Sequence, residues 1–247
     1  MDELLVQYCK RLHFGSNILA NAKAIVAENN IDFLTELFKR ELDNREIKRK
    51  NMYIKKANFD IKKTFTDYSF EGIQIPKTIT AAEIINAEFV RKQENLILYG
   101  QVGTGKTHMA IATGISACNH SLKVRFFRTA ALVNDLVDAK KTGTLRKFMK
   151  ALEKCDLLIC DEWGYVPVDS EGAKLLFQVI ADCYERKSLI ITTNLEFGRW
   201  NGIFYDEKLT AAIIDRVVHH SHLLVFDRLS YRVEHSTIRV DERNHSK

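Results

Sequence analysis

Apolar and polar positions follow two different patterns along this chain, and the change falls near residue 65. Before it, apolar residues recur at helical spacing within a long segment from about Ile31 to Lys56, as at Leu34, Leu37, Phe38 and Leu42. That first stretch contains no strand-like run. The pattern therefore predicts a small all-helical N-terminal domain over residues 1–65 and a second domain over residues 66–247.

After residue 65, short apolar runs alternate with helix-forming stretches. The predicted strands are Leu96–Tyr99, Val124–Phe127, Leu157–Cys160, Leu189–Thr192 and a weaker one at Leu223–Phe226. Such alternation is typical of an α/β fold in which helices cover both faces of a parallel sheet. The link between the second and third strands holds two helices where a simple crossover needs one, at about Ala130–Lys141 and Thr144–Lys154.

The segment that joins the two domains is irregular and aromatic, from Phe65 to Gly72. Beyond it, Thr80 and Glu83 have the spacing of a capping box. We expect a helix to begin there and to continue to about Lys92.

Composition narrows the class of protein. The 247 residues are 46% apolar and 28% charged. No apolar run is long enough to span a membrane, and the first residues lack a basic segment followed by an apolar stretch. We therefore expect a cytoplasmic protein without membrane contact. Five cysteines lack metal-ligand spacing, which predicts reduced and mostly buried thiols.

Charge is mildly basic overall, with a formal net charge of +5. It is concentrated between Arg45 and Lys63, where Lys48 and Arg49 are among the basic residues. Such a run is either a surface that contacts nucleic acid or a solvated helix face, and the two interpretations have equal weight on this pattern alone.

The pattern GxxxxGK[ST] occurs at Gly100–Thr107, directly after a predicted strand and before a predicted helix. Glycines let the backbone wrap phosphates, and the helix N-terminus adds its dipole. We expect Lys106 to contact the β- and γ-phosphates and the Thr107 hydroxyl to ligate Mg²⁺. The predicted nucleotide contacts are Gly100, Gly103, Thr104, Gly105, Lys106, Thr107 and His108.

Two acids, Asp161 and Glu162, end the third predicted strand. Asp161 would hold Mg²⁺, and Glu162 would orient the water that attacks the γ-phosphate. The alternative, a pair of acids that begin a surface turn, loses weight because a phosphate loop lies upstream. Hydrolysis is therefore expected rather than binding alone.

Two further residues are candidates for the same chemistry. Asn194 follows the fourth predicted strand and is either a turn residue or a sensor of the attacking water or the γ-phosphate. Arg216 lies in a predicted helix and is either a surface cation or a charge offered to the γ-phosphate of a neighbouring subunit. Because the chain lacks the Asn/Thr-Lys-x-Asp sequence that reads guanine, ATP is favoured over GTP.

Several neighbourhoods together resemble the IstB-like transposition helper ATPases, which are relatives of the DnaC helicase loaders and DnaA initiators in the AAA+ superfamily. They are Asp161–Tyr165, Thr192–Leu195 with Trp200, Ala211–Arg216 and Ser230–Arg232. The resemblance covers nearly the whole chain. It implies a P-loop AAA+ fold and an ATPase that assembles as a homo-oligomer on double-stranded DNA and recruits or stimulates a transposase.

The resemblance also implies roles for single residues. Arg216 matches the family's arginine finger, and Arg232 lies near the place of a second sensor. The extra helix after Thr129 resembles an insertion that initiator-type members use to face DNA, which makes Lys140, Lys141, Arg146 and Lys147 candidate phosphate contacts. These four could equally be solvated.

Two other functions share the phosphate loop. A replicative helicase loader would differ in what its N-terminal domain binds. A P-loop kinase would transfer phosphate to a small molecule, and Glu162 beside Asp161 speaks against it.

Overall fold

A computed structural model describes residues 2–66, 68–165, 168–204 and 206–234. Its helices are α1 (Asp2–Arg11), α2 (Ile18–Lys23), α3 (Asn30–Ala57), α4 (Ala81–Ile85), α5 (Lys106–Asn119), α6 (Thr129–Lys141), α7 (Leu145–Glu153), α8 (Ser170–Cys183), α9 (Asn201–Phe204), α10 (Glu207–Val218) and α11 (Tyr231–Glu234). Its strands are β1 (Ile73–Gln74), β2 (Asn95–Gly100), β3 (Val124–Arg128), β4 (Leu157–Trp163), β5 (Ser188–Thr193) and β6 (Ser221–Phe226). Backbone contacts divide the chain into two units, residues 1–53 and residues 54–247. The domain boundary at residues 65 and 66 stays a prediction.

The first unit is helical and is organised around a buried acid. Glu41 of α3 is 3% exposed and accepts hydrogen bonds from the Gly15 N–H at 2.8 Å and from Arg45 Nε at 2.7 Å. Burial alone would raise the pKa of Glu41, but these hydrogen bonds outweigh it and lower the pKa. Arg45 also donates to the carbonyl of His13, so one ion pair holds α3 against the turn after α1.

The second unit contains a six-stranded sheet in the order β1-β6-β2-β5-β4-β3. The five longer strands are parallel, and only the two-residue β1 is antiparallel to its neighbour β6. All six residues of β5 are buried, as expected for a strand covered on both faces. The predicted parallel sheet between helices is confirmed.

A buried asparagine locks the start of the central strands. Asn95 Oδ1 accepts the Leu189 N–H at 2.8 Å, and its Nδ2 donates to the carbonyl of Val217 at 3.3 Å. One side chain thus connects β2, β5 and the end of α10. A buried polar group of this kind stabilises the fold only because both of its ends are paired.

The structure differs from the sequence prediction near residue 87. The capping box is present, since the Glu83 N–H donates to Thr80 Oγ1 and the Thr80 N–H donates to Glu83 Oε2. The helix nevertheless ends at Ile85 rather than Lys92, because Ala87 adopts a left-handed conformation with φ of +54° and a 3₁₀ turn follows at Glu88–Val90. The prediction of the helix end was wrong.

Between β3 and β4 the chain forms the two predicted helices, α6 and α7. On α7, the apolar side chains of Leu145, Phe148, Met149 and Leu152 pack against the core. The opposite face is exposed and basic, with Arg146, Lys147 and Lys150. The amphipathic pattern explains why a second helix can be added here without disturbing the sheet.

All five cysteines are free thiols, and four are buried, namely Cys118, Cys155, Cys160 and Cys183. Burial raises the pKa of the Cys118 and Cys183 thiols to about 12 in each case. They therefore stay protonated and unreactive at neutral pH. Over the part of the chain described here, no helix is long and apolar enough to cross a membrane.

Candidate nucleotide-binding site

The loop between β2 and α5 is the predicted phosphate cradle. Gly105 precedes the helix with φ of +92°, a conformation that side chains with a Cβ rarely adopt. A Cβ on Gly105 would clash with Arg228 Nη2, and one on Gly103 would clash with Ser230 Oγ. Both positions favour glycine because φ is positive at each, +83° at Gly103 and +92° at Gly105, and a side chain would also displace neighbours that the motif itself does not contain.

Lys106 turns back into the loop from the first residue of α5. Its Nζ donates to the carbonyls of Gly100 and Gln101, at 2.7 Å each, and the residue is 6% exposed. The ammonium group is thus held inside the loop, beside the N-terminus of a 14-residue helix. A fixed positive charge next to a helix N-terminus is well suited to bind phosphate.

Asp161 is the point at which the elements of the site meet. Its Oδ1 accepts hydrogen bonds from Thr107 Oγ1 at 2.9 Å and from Thr192 Oγ1 at 2.5 Å, and its backbone carbonyl accepts one from Thr129 Oγ1 at 2.8 Å. The residue is 2% exposed. Hydrogen bonds from hydroxyl groups on α5 and β5 therefore stabilise a carboxylate that would otherwise be costly to bury, and the one from α6 fixes the backbone of the same residue.

Oxygen atoms of Thr107 and Asp161 form a donor set that suits a hard cation. The Thr107 hydroxyl lies 2.9 and 3.1 Å from the two carboxylate oxygens. Carboxylate and hydroxyl oxygens are ligands that Mg²⁺ accepts, usually together with phosphate oxygens. The two residues predicted as magnesium ligands are thus adjacent in the structure.

Glu162 follows Asp161 but leaves the regular strand. It has φ of +58°, and the pairing of β4 with β5 shifts register between Cys160 and Trp163. Its N–H donates to Thr192 Oγ1 at 2.9 Å. In a regular strand Glu162 would point to the face opposite Asp161, and the shift of register interrupts this alternation at the second acid.

Asn194 directly follows β5, which lies between β2 and β4 in the sheet. The last residue of β5, Thr193, pairs with Tyr99 on one side and with Trp163 on the other. Asn194 therefore lies at the edge of the sheet where β2 leads into the phosphate loop and where β4 carries Asp161 and Glu162. The residue is half-buried.

Arg216 lies away from this group. It is in the last turn of α10, which leads into the start of β6, and Ser221 there pairs with Asn95 at the far end of β2 from the loop. The strand between the two ends is about 17 Å long at about 3.3 Å per residue. Arg216 donates to the carbonyl of Ala212 at 3.0 Å and lies over the Phe177 ring at 5.0 Å, so the structure does not bring it to the loop of its own chain.

His108 and two residues that the motifs did not indicate surround the outer side of the loop. His108 Nε2 is 2.8 Å from the carbonyl of Thr64, and its ring lies 4.8 Å from the ring of Tyr68. Arg228 Nε donates to the carbonyl of Thr104 at 2.6 Å. Tyr68 lies in the aromatic connector that the sequence marked as irregular, whereas no pattern marked Arg228.

The basic candidates differ in their surroundings. Lys140 Nζ is 2.7 Å from Glu171, and Lys141 Nζ is 4.0 Å from Asp138. Arg146 and Lys147 of α7 and Lys48 and Arg49 of α3 are exposed. Arg232 is in α11, and its side chain lies outside the described part of the chain.

The chain is similar to ATP-binding proteins of insertion sequences. A sequence model of the IstB-like ATP binding proteins matches residues 17–238. A protein named as the ATP-binding protein of insertion sequence IS232, from Bacillus thuringiensis subsp. berliner, is 36% identical over 204 residues, which are 83% of this chain and 82% of that protein. The corresponding IS5376 protein of Geobacillus stearothermophilus is 32% identical over 250 residues, covering 98% and 99% of the two chains.

Solved structures show the same fold. The crystal structure of DnaI matches with a TM-score of 0.54 at 17% identity, covering 68% of this chain and 89% of that one. AMPPCP-bound DnaA from Aquifex aeolicus matches with a TM-score of 0.52 at 20% identity, covering 68% and 53%. The predicted AAA+ type of sheet is thus confirmed.

Thr192→Val tests the hydrogen bonds around the buried acid. The change keeps the side-chain shape but removes a donor to Asp161 and an acceptor for the Glu162 N–H. We expect the free energy of unfolding to fall by about 1–3 kcal/mol, because buried polar groups lose their partners. Denaturant unfolding followed by circular dichroism measures this change.

Thr113→Val is the matched control. Thr113 is also fully buried, but its hydroxyl finds no hydrogen-bond partner among the described residues. Its replacement should leave stability unchanged or raise it. Equal losses in the two variants would contradict a special role for the Thr192 hydroxyl.

Proposed function

This chain belongs to the IstB-like ATP binding protein family, and we propose that it is an ATP-hydrolysing switch that assembles on double-stranded DNA and recruits or stimulates a transposase. The observation that supports hydrolysis is the buried set of hydrogen bonds that joins Asp161 to Thr107 and Thr192, with Glu162 next to it in a left-handed conformation. The family resemblance inferred from the sequence is confirmed. Hydrolysis, assembly and the transposase are the proposed part.

In the proposed reaction, the loop Gly100–Thr107 binds the phosphates of ATP and Lys106 contacts the β- and γ-phosphates. Thr107 and Asp161 would hold Mg²⁺, which when bound neutralises charge on the phosphate oxygens. Glu162 orients the attacking water and accepts its proton, and Asn194 hydrogen-bonds the water or the γ-phosphate. The products are ADP and phosphate.

Assembly is supported by the position of Arg216. Because the guanidinium lies at the edge of the sheet opposite the phosphate loop, it can reach a γ-phosphate only if that phosphate is bound by another subunit. A head-to-tail contact between copies would bring the two edges together. The complete site is then formed by two chains of a homo-oligomer.

DNA binding is supported by helix α7. Its apolar side packs against the core, so that Arg146, Lys147 and Lys150 all face outward on one exposed surface. Lys140 and Lys141, which are near carboxylates, are weaker candidates. Lys48 and Arg49 of α3 offer a second exposed basic surface, although their charges also act on Glu41 and Glu46. Contacts of this type bind the backbone of the duplex without reading its sequence.

The proposed protein partner rests on the relatives. Proteins similar to this chain over most of its length are named for the insertion sequences that encode them. Such elements move by means of a transposase, so an ATP-dependent assembly on DNA is a suitable platform for that enzyme.

Glu162→Gln tests the hydrolytic step. The amide keeps the size of the side chain but cannot accept a proton from water, so kcat should fall by about 100-fold or more while ATP affinity changes little. Phosphate release measures turnover, and a fluorescent ATP analogue measures binding. Glu88→Gln, an exposed change in the 3₁₀ turn after α4, should behave like the parent protein. Parental turnover in Glu162→Gln would exclude the proposed role.

Arg216→Ala tests whether the site is shared. Alone, this variant should bind ATP but hydrolyse it slowly. Mixed in equal amounts with Lys106→Ala protein, it should regain about a quarter of the parental rate, because one random interface in four joins an intact loop to an intact arginine. No recovery in the mixture would place the function of Arg216 within its own chain.

Lys147→Gln tests the basic surface of α7. In the presence of a non-hydrolysable ATP analogue, the variant should bind duplex DNA more weakly, and the slope of log affinity against log salt should fall by about one. Fluorescence anisotropy of a labelled duplex, measured over a range of salt concentrations, gives both quantities.

Lys140→Gln is the matched control on the neighbouring helix. Because the Lys140 ammonium is 2.7 Å from Glu171, replacing Lys140 should lower DNA affinity less than replacing Lys147.

The assembly bound to nucleotide and DNA should also retain a purified transposase from an insertion sequence of this family. Equal affinity for the duplex with and without nucleotide would contradict the proposed switch.

A further inference from the structure

Arg228 lies two residues after β6 and reaches across to the outer side of the phosphate loop. Its three nitrogen atoms all donate hydrogen bonds: Nε to the Thr104 carbonyl at 2.6 Å, Nη2 to the Tyr68 hydroxyl at 3.2 Å, and Nη1 to the Ser69 carbonyl at 3.0 Å. The planar guanidinium thus uses its fixed fork of donors on several partners at once. A lysine could not make this set of contacts.

Tyr68 extends the contact to the next peptide of the loop. Its hydroxyl donates at 3.2 Å to the carbonyl of Gly105, which also accepts the first hydrogen bond of α5, from the Met109 N–H at 3.0 Å. The Tyr68 ring lies 5.4 Å from the Arg228 guanidinium carbon. Burial raises the pKa of Tyr68 to about 12, although the nearby charge and hydrogen bond of Arg228 act in the opposite direction. The hydroxyl therefore keeps its proton and remains a donor at any physiological pH.

The Thr104 carbonyl shares a peptide group with the Gly105 N–H, and the Gly105 carbonyl shares one with the Lys106 N–H. In a planar trans peptide, the C=O and the N–H point in opposite directions. Hydrogen bonds that hold these two carbonyls toward the outer side therefore hold the two N–H groups toward the inner side. Phosphate loops bind their ligand with N–H groups of this kind.

We propose that Arg228 is a positioning residue of the phosphate loop, which acts through the Thr104 carbonyl and the Tyr68 hydroxyl to aim the Gly105 and Lys106 N–H groups at the bound phosphates. The left-handed Gly105 is part of this arrangement, because a side chain there would displace the guanidinium. The inference rests on nucleotide binding by this loop and adds a residue that lies outside its motif.

Arg228→Met tests this role, since methionine keeps much of the length of the side chain but donates no hydrogen bond. We expect ADP to bind about tenfold more weakly to the folded variant, because the phosphate-binding N–H groups lose their fixed orientation. Arg228→Lys should bind with intermediate affinity. Isothermal titration with ADP measures the dissociation constants, and denaturant unfolding without nucleotide measures stability.

Arg125→Met is the matched control for the loss of an arginine. Arg125 also donates to a backbone carbonyl, that of Lys56 at 3.1 Å, and also lies over an aromatic ring, that of Phe127 at 5.2 Å, but it is on the edge strand β3. It should bind ADP like the parent protein even if its stability falls. Equal ADP affinities in Arg125→Met and Arg228→Met would overturn the proposal.

Tyr68→Phe gives a second, independent variant that keeps the ring and removes only the hydroxyl. Its loss of ADP affinity should be smaller than that of Arg228→Met, and the double variant should lose less than the product of the two single losses, because both act on the same peptides. Independent, multiplicative losses would refute the coupling. Failure of the parent protein to bind ADP would instead reject the nucleotide site itself.

Discussion

One buried carboxylate determines how this site is built. Asp161 is 2% exposed, and hydroxyl groups of Thr107, Thr192 and Thr129 donate to its side chain and backbone. A carboxylate removed from water needs such compensation. The helix after the phosphate loop, two neighbouring strands and α6 therefore meet where the acid lies, so the geometry of the site and the stability of this sheet edge depend on the same hydrogen bonds.

Most of the fold and the grouping of the main candidate site residues follow from local sequence patterns. Apolar runs such as Leu157–Cys160 predicted strands because parallel strands are buried on both faces, and all five longer strands are present. Residues at the carboxyl ends of such strands share one edge of the sheet. The sequence therefore groups Lys106, Asp161 and Asn194, although they are far apart along the chain.

What could not be predicted depends on backbone conformation and on contacts between distant residues. The left-handed Ala87 ends α4 early, and the left-handed Glu162 produces a bulge, yet neither residue type favours that conformation. Arg228 and Tyr68 are 160 residues apart and belong to no common motif, so only the folded chain shows that they meet. The two-residue strand β1 is likewise too short to give a periodic pattern.

The left-handed conformation of Glu162 has a consequence for how this sequence is maintained. For a residue with a Cβ, that conformation costs about 1 kcal/mol, and glycine would adopt it without the cost. Glycine at position 162 would therefore remove this local strain. The carboxylate makes the native state slightly less stable than it could be, so this position exchanges a small part of the stability of the fold for a chemical group.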